Sequence, residues 1–334
     1  MSPIVIIAWA SLALASPVED VDAEQELHRR VAASREWLVA VFPAESGTRS
    51  LREQMWGRRR RGGKGPAVSR KYVGTGFVIS TTGEIVTSNE VIPPGAKEVG
   101  VRFCDGRTMK ASVIARYERG NLALIAVEGE SFKTAPLSTR DDVKIGELVF
   151  TLGNVLDSIG IDGRPAVSRG VIARAGRAEG EGTYRGWAYE TDAAVNSGSY
   201  GGPLLDLDGE VIGIVDPGYS TQRWLGQVIP IQVFREVLVD LRKGWLPRHT
   251  VGLSAEAAPE GGIAVVEVEK GGPADRAGLR PGDRIIRAER EEITRPRDLD
   301  TIAARFPVRT PIVLQVLRGK EETRLMVRIG RKES

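Results

Sequence analysis

The sequence is short of the residues that build metal centres, redox sites and disulfide scaffolds: it has one cysteine, Cys104, and two histidines, His28 and His249. A lone cysteine excludes an internal disulfide framework and a thiolate cluster, and two histidines so far apart form no local ligand motif. No metal and no cofactor is expected. Aromatic residues make up only 6% of the chain against 41% hydrophobic residues in all, so the core must be largely aliphatic. The formal net charge of +3 over 334 residues is too small an excess to point to nucleic acid, and none is expected as a partner. The apolar run at residues 4–15 is shorter than the roughly 20 residues that span a bilayer. It ends in Ala13-Leu14-Ala15, a small-residue cleavage pattern, and reads as a signal-peptide core, although Met1-Ser2-Pro3 supplies no basic residue; a buried N-terminal helix is the competing reading. The chain is therefore expected to be exported, to the periplasm or another extracytoplasmic space.

What is present is punctuation for a mostly β chain of two or three domains. After a charged, alanine-rich segment at 16–36, expected to hold a short helix, Trp37 to Phe42 reads as a first strand. Arg58-Arg59-Arg60-Arg61, flanked by Gly57 and Gly62, cannot pack and is expected as a solvated loop; its functional reading is docking to an anionic surface or acidic partner. Gly74 to Ser80 and Glu84 to Asn89 are strand-like runs joined by Thr81-Thr82-Gly83, and the strands continue around Asp105-Gly106. The stretch from Tyr189 to Val215 organises the rest. It enters a glycine-rich bend at Gly198, Gly201 and Gly202, then two apolar arms joined by Asp208-Gly209, a strong hairpin signal. Such a bend can turn backbone N–H groups into a concavity, the geometry that stabilises an oxyanion.

Thr191-Asp192-Ala193-Ala194 and Gly201-Gly202-Pro203-Leu204 resemble the flanks of the nucleophile loop in the HtrA (Deg) family of trypsin-like serine proteases. The resemblance implies a trypsin-like double six-stranded β-barrel at about 37–245. In that family the residue before the Gly-Gly pair is the serine nucleophile; here it is Tyr200. Thr87-Ser88-Asn89-Glu90-Val91-Ile92 falls where the family carries its histidine base, which places Glu90 there, and Gly120-Asn121-Leu122-Ala123 puts Asn121 where the orienting aspartate belongs. A serine hydroxyl needs a neighbouring base, and that base needs an acceptor. Loss of the triad costs on the order of a millionfold in turnover, so these substitutions lead to the expectation of a pseudoenzyme that binds peptides or unfolded proteins in a chaperone-like or scaffolding role. Tyr200 is expected to donate to the Glu90 carboxylate, raised in pKa by burial, with Asn121 bonded to Glu90. The loop at Gly198 and Tyr200 is the expected oxyanion turn. The alternative is an active serine-type endopeptidase using Ser199 or Ser197. Arg177 lies near an arginine that the family uses to sense peptide, with a solvated loop charge as the plainer reading.

From His249 the composition changes. Val268 to Ile286, with Pro273 at a helix start, Gly278 at its end and Pro281-Gly282-Asp283 turning into a strand, resembles a PDZ domain over residues 249–331. PDZ domains add an extended peptide as a strand and hold its terminal carboxylate on backbone N–H groups. The resemblance implies that Val251, Gly252 and Leu253 form that loop, that peptides or unfolded proteins are the partners, and that trimers or mixed assemblies with active relatives are the expected assemblies.

Overall fold

The computed structural model describes residue 25 and residues 28–44, 73–178, 184–220 and 225–332. The apolar run at 4–15 and the run Arg58 to Arg61 lie outside the described residues. Six aliphatic strands close a first barrel: β1 (Leu38–Pro43), β2 (Gly74–Val78), β3 (Glu84–Ser88), β4 (Glu98–Phe103), β5 (Thr108–Tyr117) and β6 (Leu122–Val127), in the order β1-β2-β3-β6-β5-β4. A second barrel holds β7 (Leu148–Gly153), β8 (Ala166–Arg177), β9 (Trp187–Thr191), β10 (Pro203–Leu205), β11 (Val211–Ser220) and β12 (Leu225–Pro230), in the order β10-β11-β12-β9-β8-β7. Closure leaves neither sheet with a free edge, and barrels this narrow are filled by their own side chains. Phe77, Phe103, Ile85 and Leu124 fill the first, fully buried as large side chains. A short helix, α1 (Ser158–Asp162), follows β7. The Asp208-Gly209 hairpin forms as the sequence implies, with Gly209 at φ +75° and its N–H donating to the Asp206 carbonyl.

A longer helix, α2 (Ile231–Arg242), follows directly from β12. Its Phe234, Val237 and Leu241 recur at helical spacing and are fully buried in the main core. Gly244, at φ +70°, ends it. The remaining strands β13 (His249–Thr250), β14 (Leu253–Ala257), β15 (Ile263–Val268), β16 (Arg284–Ala288), β17 (Glu291–Glu292), β18 (Pro311–Arg318), β19 (Glu321–Arg328) and β20 (Gly330–Arg331), with helices α3 (Pro273–Arg276) and α4 (Pro296–Ala303), build a smaller domain. Its sheet runs β14-β15-β16-β18-β19, and its core gathers Ile263, Ile285, Leu299, Ile312 and Leu314.

The small domain is fastened to the barrels by side chains distant in sequence. The Tyr117 hydroxyl accepts from the Val308 N–H at 3.0 Å and lies 3.0 Å from Nε2 of His249. Arg331 makes a two-pronged bond to Asp240 at 2.6 and 2.9 Å, and Arg309 reaches Asp141 at 2.8 Å. Arg177 reaches Glu289 at 2.8 Å and lies over the Phe306 ring at 4.2 Å. Burial, with the charge of Arg119 as a lesser cause, holds His249 down to a pKa of about 4, so it is neutral at ordinary pH.

Candidate functional site

The bend that joins β9 to β10 is held by backbone contacts with the rim of the first barrel. Thr75 is the pivot. Its hydroxyl donates to the Gly198 carbonyl at 2.6 Å and accepts from the Asn154 N–H at 2.8 Å, while its own N–H donates to the Tyr200 carbonyl at 2.9 Å. Thr87 in turn donates to the Thr75 carbonyl at 2.7 Å. The glycines are demanded by that closeness. A Cβ on Gly201, whose φ is +82°, would lie 2.4 Å from the Thr75 carbonyl oxygen and from the Thr87 hydroxyl. Gly198, at φ +101°, is buried, and its N–H donates to no group among the described residues. A glycine-built turn that leaves a main-chain donor unused is the part an oxyanion site needs.

Glu90 and Asn121, two of the three positions singled out in the sequence, meet here. The Asn121 Oδ1 accepts from the Glu90 backbone N–H at 3.2 Å, and that N–H also meets the Ser88 hydroxyl at 3.2 Å. The expected bond from Asn121 to the Glu90 carboxylate is thus corrected to one with its main chain. The reason is a residue the sequence reading missed. The Asn121 amide N–H donates at 2.5 Å to Oδ1 of Asp216, a fully buried carboxyl on β11. Oδ2 of Asp216 accepts from the Gly218 N–H at 2.8 Å and from the Gln227 amide at 3.1 Å. Burial pushes Asp216 up to a pKa of about 6, with the Asn121 and Gly218 bonds lowering it and the charge of Glu90 raising it. Tyr200 is half-buried, with its ring packed on the main core.

The serines beside Tyr200 differ. Ser199 is buried, and its hydroxyl is closed within its own turn, donating to the Asn196 carbonyl at 2.7 Å and accepting from the Asn196 N–H at 3.1 Å. This is the role of a turn residue and sets Ser199 aside as the nucleophile of the alternative reading. Ser197 is exposed at the tip of the bend. Neither histidine is in the barrels: His28 precedes β1, and His249 sits at the junction with the small domain.

The second place with binding geometry is the edge of the small domain. β14 pairs only with β15 among the described residues, so its other edge is open. Gly252, at φ +76°, turns the chain into β14; its N–H donates to the Thr250 hydroxyl at 2.9 Å and its carbonyl accepts from Glu269 at 3.0 Å. Val251 is buried, and Leu253 and Ala255 lie half-buried against the core that Leu299 and Ile302 of α4 also enter.

A model of the trypsin-like peptidase domain matches residues 74–214, and a model of the PDZ domain matches residues 241–329. A putative serine protease, HhoB, of Synechocystis is 31% identical over 288 residues, covering 79% of this chain and 68% of its own. A probable periplasmic serine endoprotease, DegP-like, of Hahella chejuensis is 32% identical over 80% of this chain. This chain spans 58% of the length of that relative and of the DegP-like protein of Halomonas elongata. The serine endoprotease of Yersinia pestis superposes with a TM-score of 0.54 at 25% identity, covering 93% of this chain and 98% of its own. The HtrA-type protease AlgW with a decapeptide superposes with a TM-score of 0.50 at 27% identity, covering 78% and 83%. These findings overturn the expectation of a non-enzyme: the relatives are named serine endoproteases, the solved neighbours are proteases, and nothing in the site shows inactivation. That expectation rested on three side chains, and it missed the buried carboxyl of Asp216, to which Asn121 is bonded.

Proposed function

Because the chain belongs to the HtrA/DegP-like family of trypsin-like serine endoproteases carrying a PDZ domain, we propose that it captures the C-terminal ends of extended or unfolded polypeptides along β14 and presents them to the cleft at residues 196–202. The open edge of β14, entered through the Gly252 turn, carries this reading. An added strand is held by main-chain hydrogen bonds, and the turn before it supplies N–H groups for a terminal carboxylate. Val251, Gly252 and Leu253 are that turn; Leu253 and Ala255, half-buried beside α4, offer the apolar wall for the last side chains of the peptide.

In the barrels, the turn at Gly198 and Tyr200 is the oxyanion site of this reading, with the Gly198 N–H as donor. The carboxyl bonded to Asn121 is Asp216, and no histidine lies among the described residues of the barrels, so in this reading the pH profile of cleavage follows a carboxyl and not an imidazole. The relatives named periplasmic support an extracytoplasmic location, with residues 1–15 as the leader, 16–36 as a charged segment, and working domains at 37–245 and 249–331. Self-association, as trimers or with relatives of the same fold, belongs to the same reading. Among the described residues no helix is long and apolar enough to cross a membrane.

The capture step is tested on the full chain with a pair of fluorescent peptides that share an apolar C-terminal sequence, one ending in a free carboxylate and the other in an amide. Loss of a charge-assisted bond of about 1.5–3 kcal/mol weakens the amide roughly ten- to hundredfold. Equal affinity for the two peptides removes the carboxylate turn from the mechanism. Digestion of unfolded casein, with Ser197→Ala beside the parent chain, tests the processing step separately.

A further inference from the structure

Beyond α2 the chain carries an exposed apolar knuckle ringed by cations. Gly244 breaks the helix, and the Trp245 N–H returns to the Asp240 carbonyl at 2.9 Å, so the turn is fixed by backbone bonds. It leaves Trp245 50% and Leu246 71% exposed, with Val239 of α2 also exposed and one helical turn before Lys243. The ammonium of Lys243 lies 4.6 Å from the centre of the Trp245 ring. Arg248 and Lys332 are joined through their backbones at 2.8 Å and, with Asp240, Trp245 and Leu246, line a cleft of about 380 Å³.

The charge balance there is one-sided. Asp240, the acid in the cleft, is neutralised by Arg331 at 2.6 and 2.9 Å, and nearby Arg242 is bound to Glu84 at 2.6 and 2.8 Å. Lys243, Arg248 and Lys332 have no ion-pair partner among the described residues. An indole and a leucine held out on a rigid turn, with three cations around them, match the two layers of an anionic bilayer surface: apolar groups enter the headgroup boundary while the cations meet phosphates.

We propose that Trp245 and Leu246, with Lys243, Arg248 and Lys332, dock this protein on anionic phospholipid. Its residues are distinct in sequence from β14 and from the Arg58 to Arg61 run. The test is co-sedimentation of the full chain with vesicles of phosphatidylcholine alone and with one third phosphatidylglycerol, at low and at high salt. Binding is expected to the mixed vesicles only and to weaken in salt. Replacing Lys243, Arg248 and Lys332 by Gln should lower it on the order of a hundredfold, at about one kcal/mol per cation, and Trp245→Ser with Leu246→Ser should lower it at least tenfold. Replacement of Arg58 to Arg61 by Gln should leave the Trp245-dependent part intact. Three results overturn the proposal: no binding to mixed vesicles, binding that survives loss of Trp245 and Leu246 but not of the Arg58 run, or self-association that depends on Trp245 without vesicle binding. Circular dichroism of the Ser variants confirms that they are folded.

Discussion

The barrel cleft and the PDZ edge both rest on glycine turns, but they divide the work between main chain and side chain differently. At the PDZ edge the groups proposed to bind are backbone atoms of the turn at 251–253 and of β14, so that site would follow wherever the fold forms. At the cleft the backbone frame is equally well held, by Thr75 against Gly198 and Tyr200, while the polar network at the singled-out positions joins buried Asn121 to the Glu90 main chain and to the buried carboxyl of Asp216. A site made of main-chain donors constrains sequence only where φ or space requires glycine. A site made of side chains can be rebuilt without any change in the frame.

The comparison is broken most severely by removing the frame itself. Gly201→Val places a β-branched residue at φ +82° with its Cβ 2.4 Å from the Thr75 carbonyl oxygen. The left-handed conformation costs roughly 1–2 kcal/mol and the overlap another 1–3 kcal/mol. Summed, that is a loss of about 2–5 kcal/mol, read in calorimetry as a fall of roughly 5–15 °C in Tm. An unchanged Tm would mean that the bend is not pinned to the first barrel.

A smaller effect sharpens the side-chain half of the comparison. Asp216 holds its proton to a pKa of about 6 when folded, against an ordinary value of 3.8. The folded chain therefore binds more protons than the unfolded chain between about pH 4 and 6. Stability from this group is full below pH 4 and is lost as pH rises through 6, by about 3 kcal/mol. The Tm of the parent should drop across that window relative to Asp216→Asn, which has nothing to titrate; parallel curves would refute the assignment. Asn121→Asp adds a second carboxyl where the amide now donates at 2.5 Å, so its cost should be greater at pH 7 than at pH 4. It follows that Tyr200→Ser, Glu90→His and Asn121→Asp together should digest casein less well than the same set with Asp216→Asn.

The frame was legible in the sequence and the network behind it was not. Thr191 to Ala194 and Gly201 to Leu204 fix the register because a close-packed turn tolerates few residues, and Asp208-Gly209 marked its hairpin for the same reason. Asp216 escaped notice because Asp216-Pro217-Gly218 has the composition of a turn. The strand instead runs through it, absorbing the proline at a register shift between Asp216 and Tyr219. The clasp between the domains was hidden by distance: Tyr117 meets residues 132 and 191 positions away, which no local pattern encodes.

The smallest expected effect concerns the link between the two regions. Sequence reasoning left Arg177 as either a peptide sensor or a solvated loop charge; the structure places it at the end of β8, 2.8 Å from Glu289 and 4.2 Å from the centre of the Phe306 ring. The pair is about a third and a fifth exposed, at 32% and 21%. Partial screening holds such an ion pair to roughly 0.2–1 kcal/mol, and the ring contact adds about 0.5–1 kcal/mol. Arg177→Ala should thus lower Tm by only a few degrees. A double-mutant cycle with Glu289→Ala isolates the ionic part, since the ring contact is lost in both backgrounds in which Arg177 is absent. A coupling of about 0.2–1 kcal/mol that shrinks in high salt fits two regions fastened mainly by Tyr117 and Arg331, whereas a coupling above about 2 kcal/mol would make Arg177 the principal clasp between them.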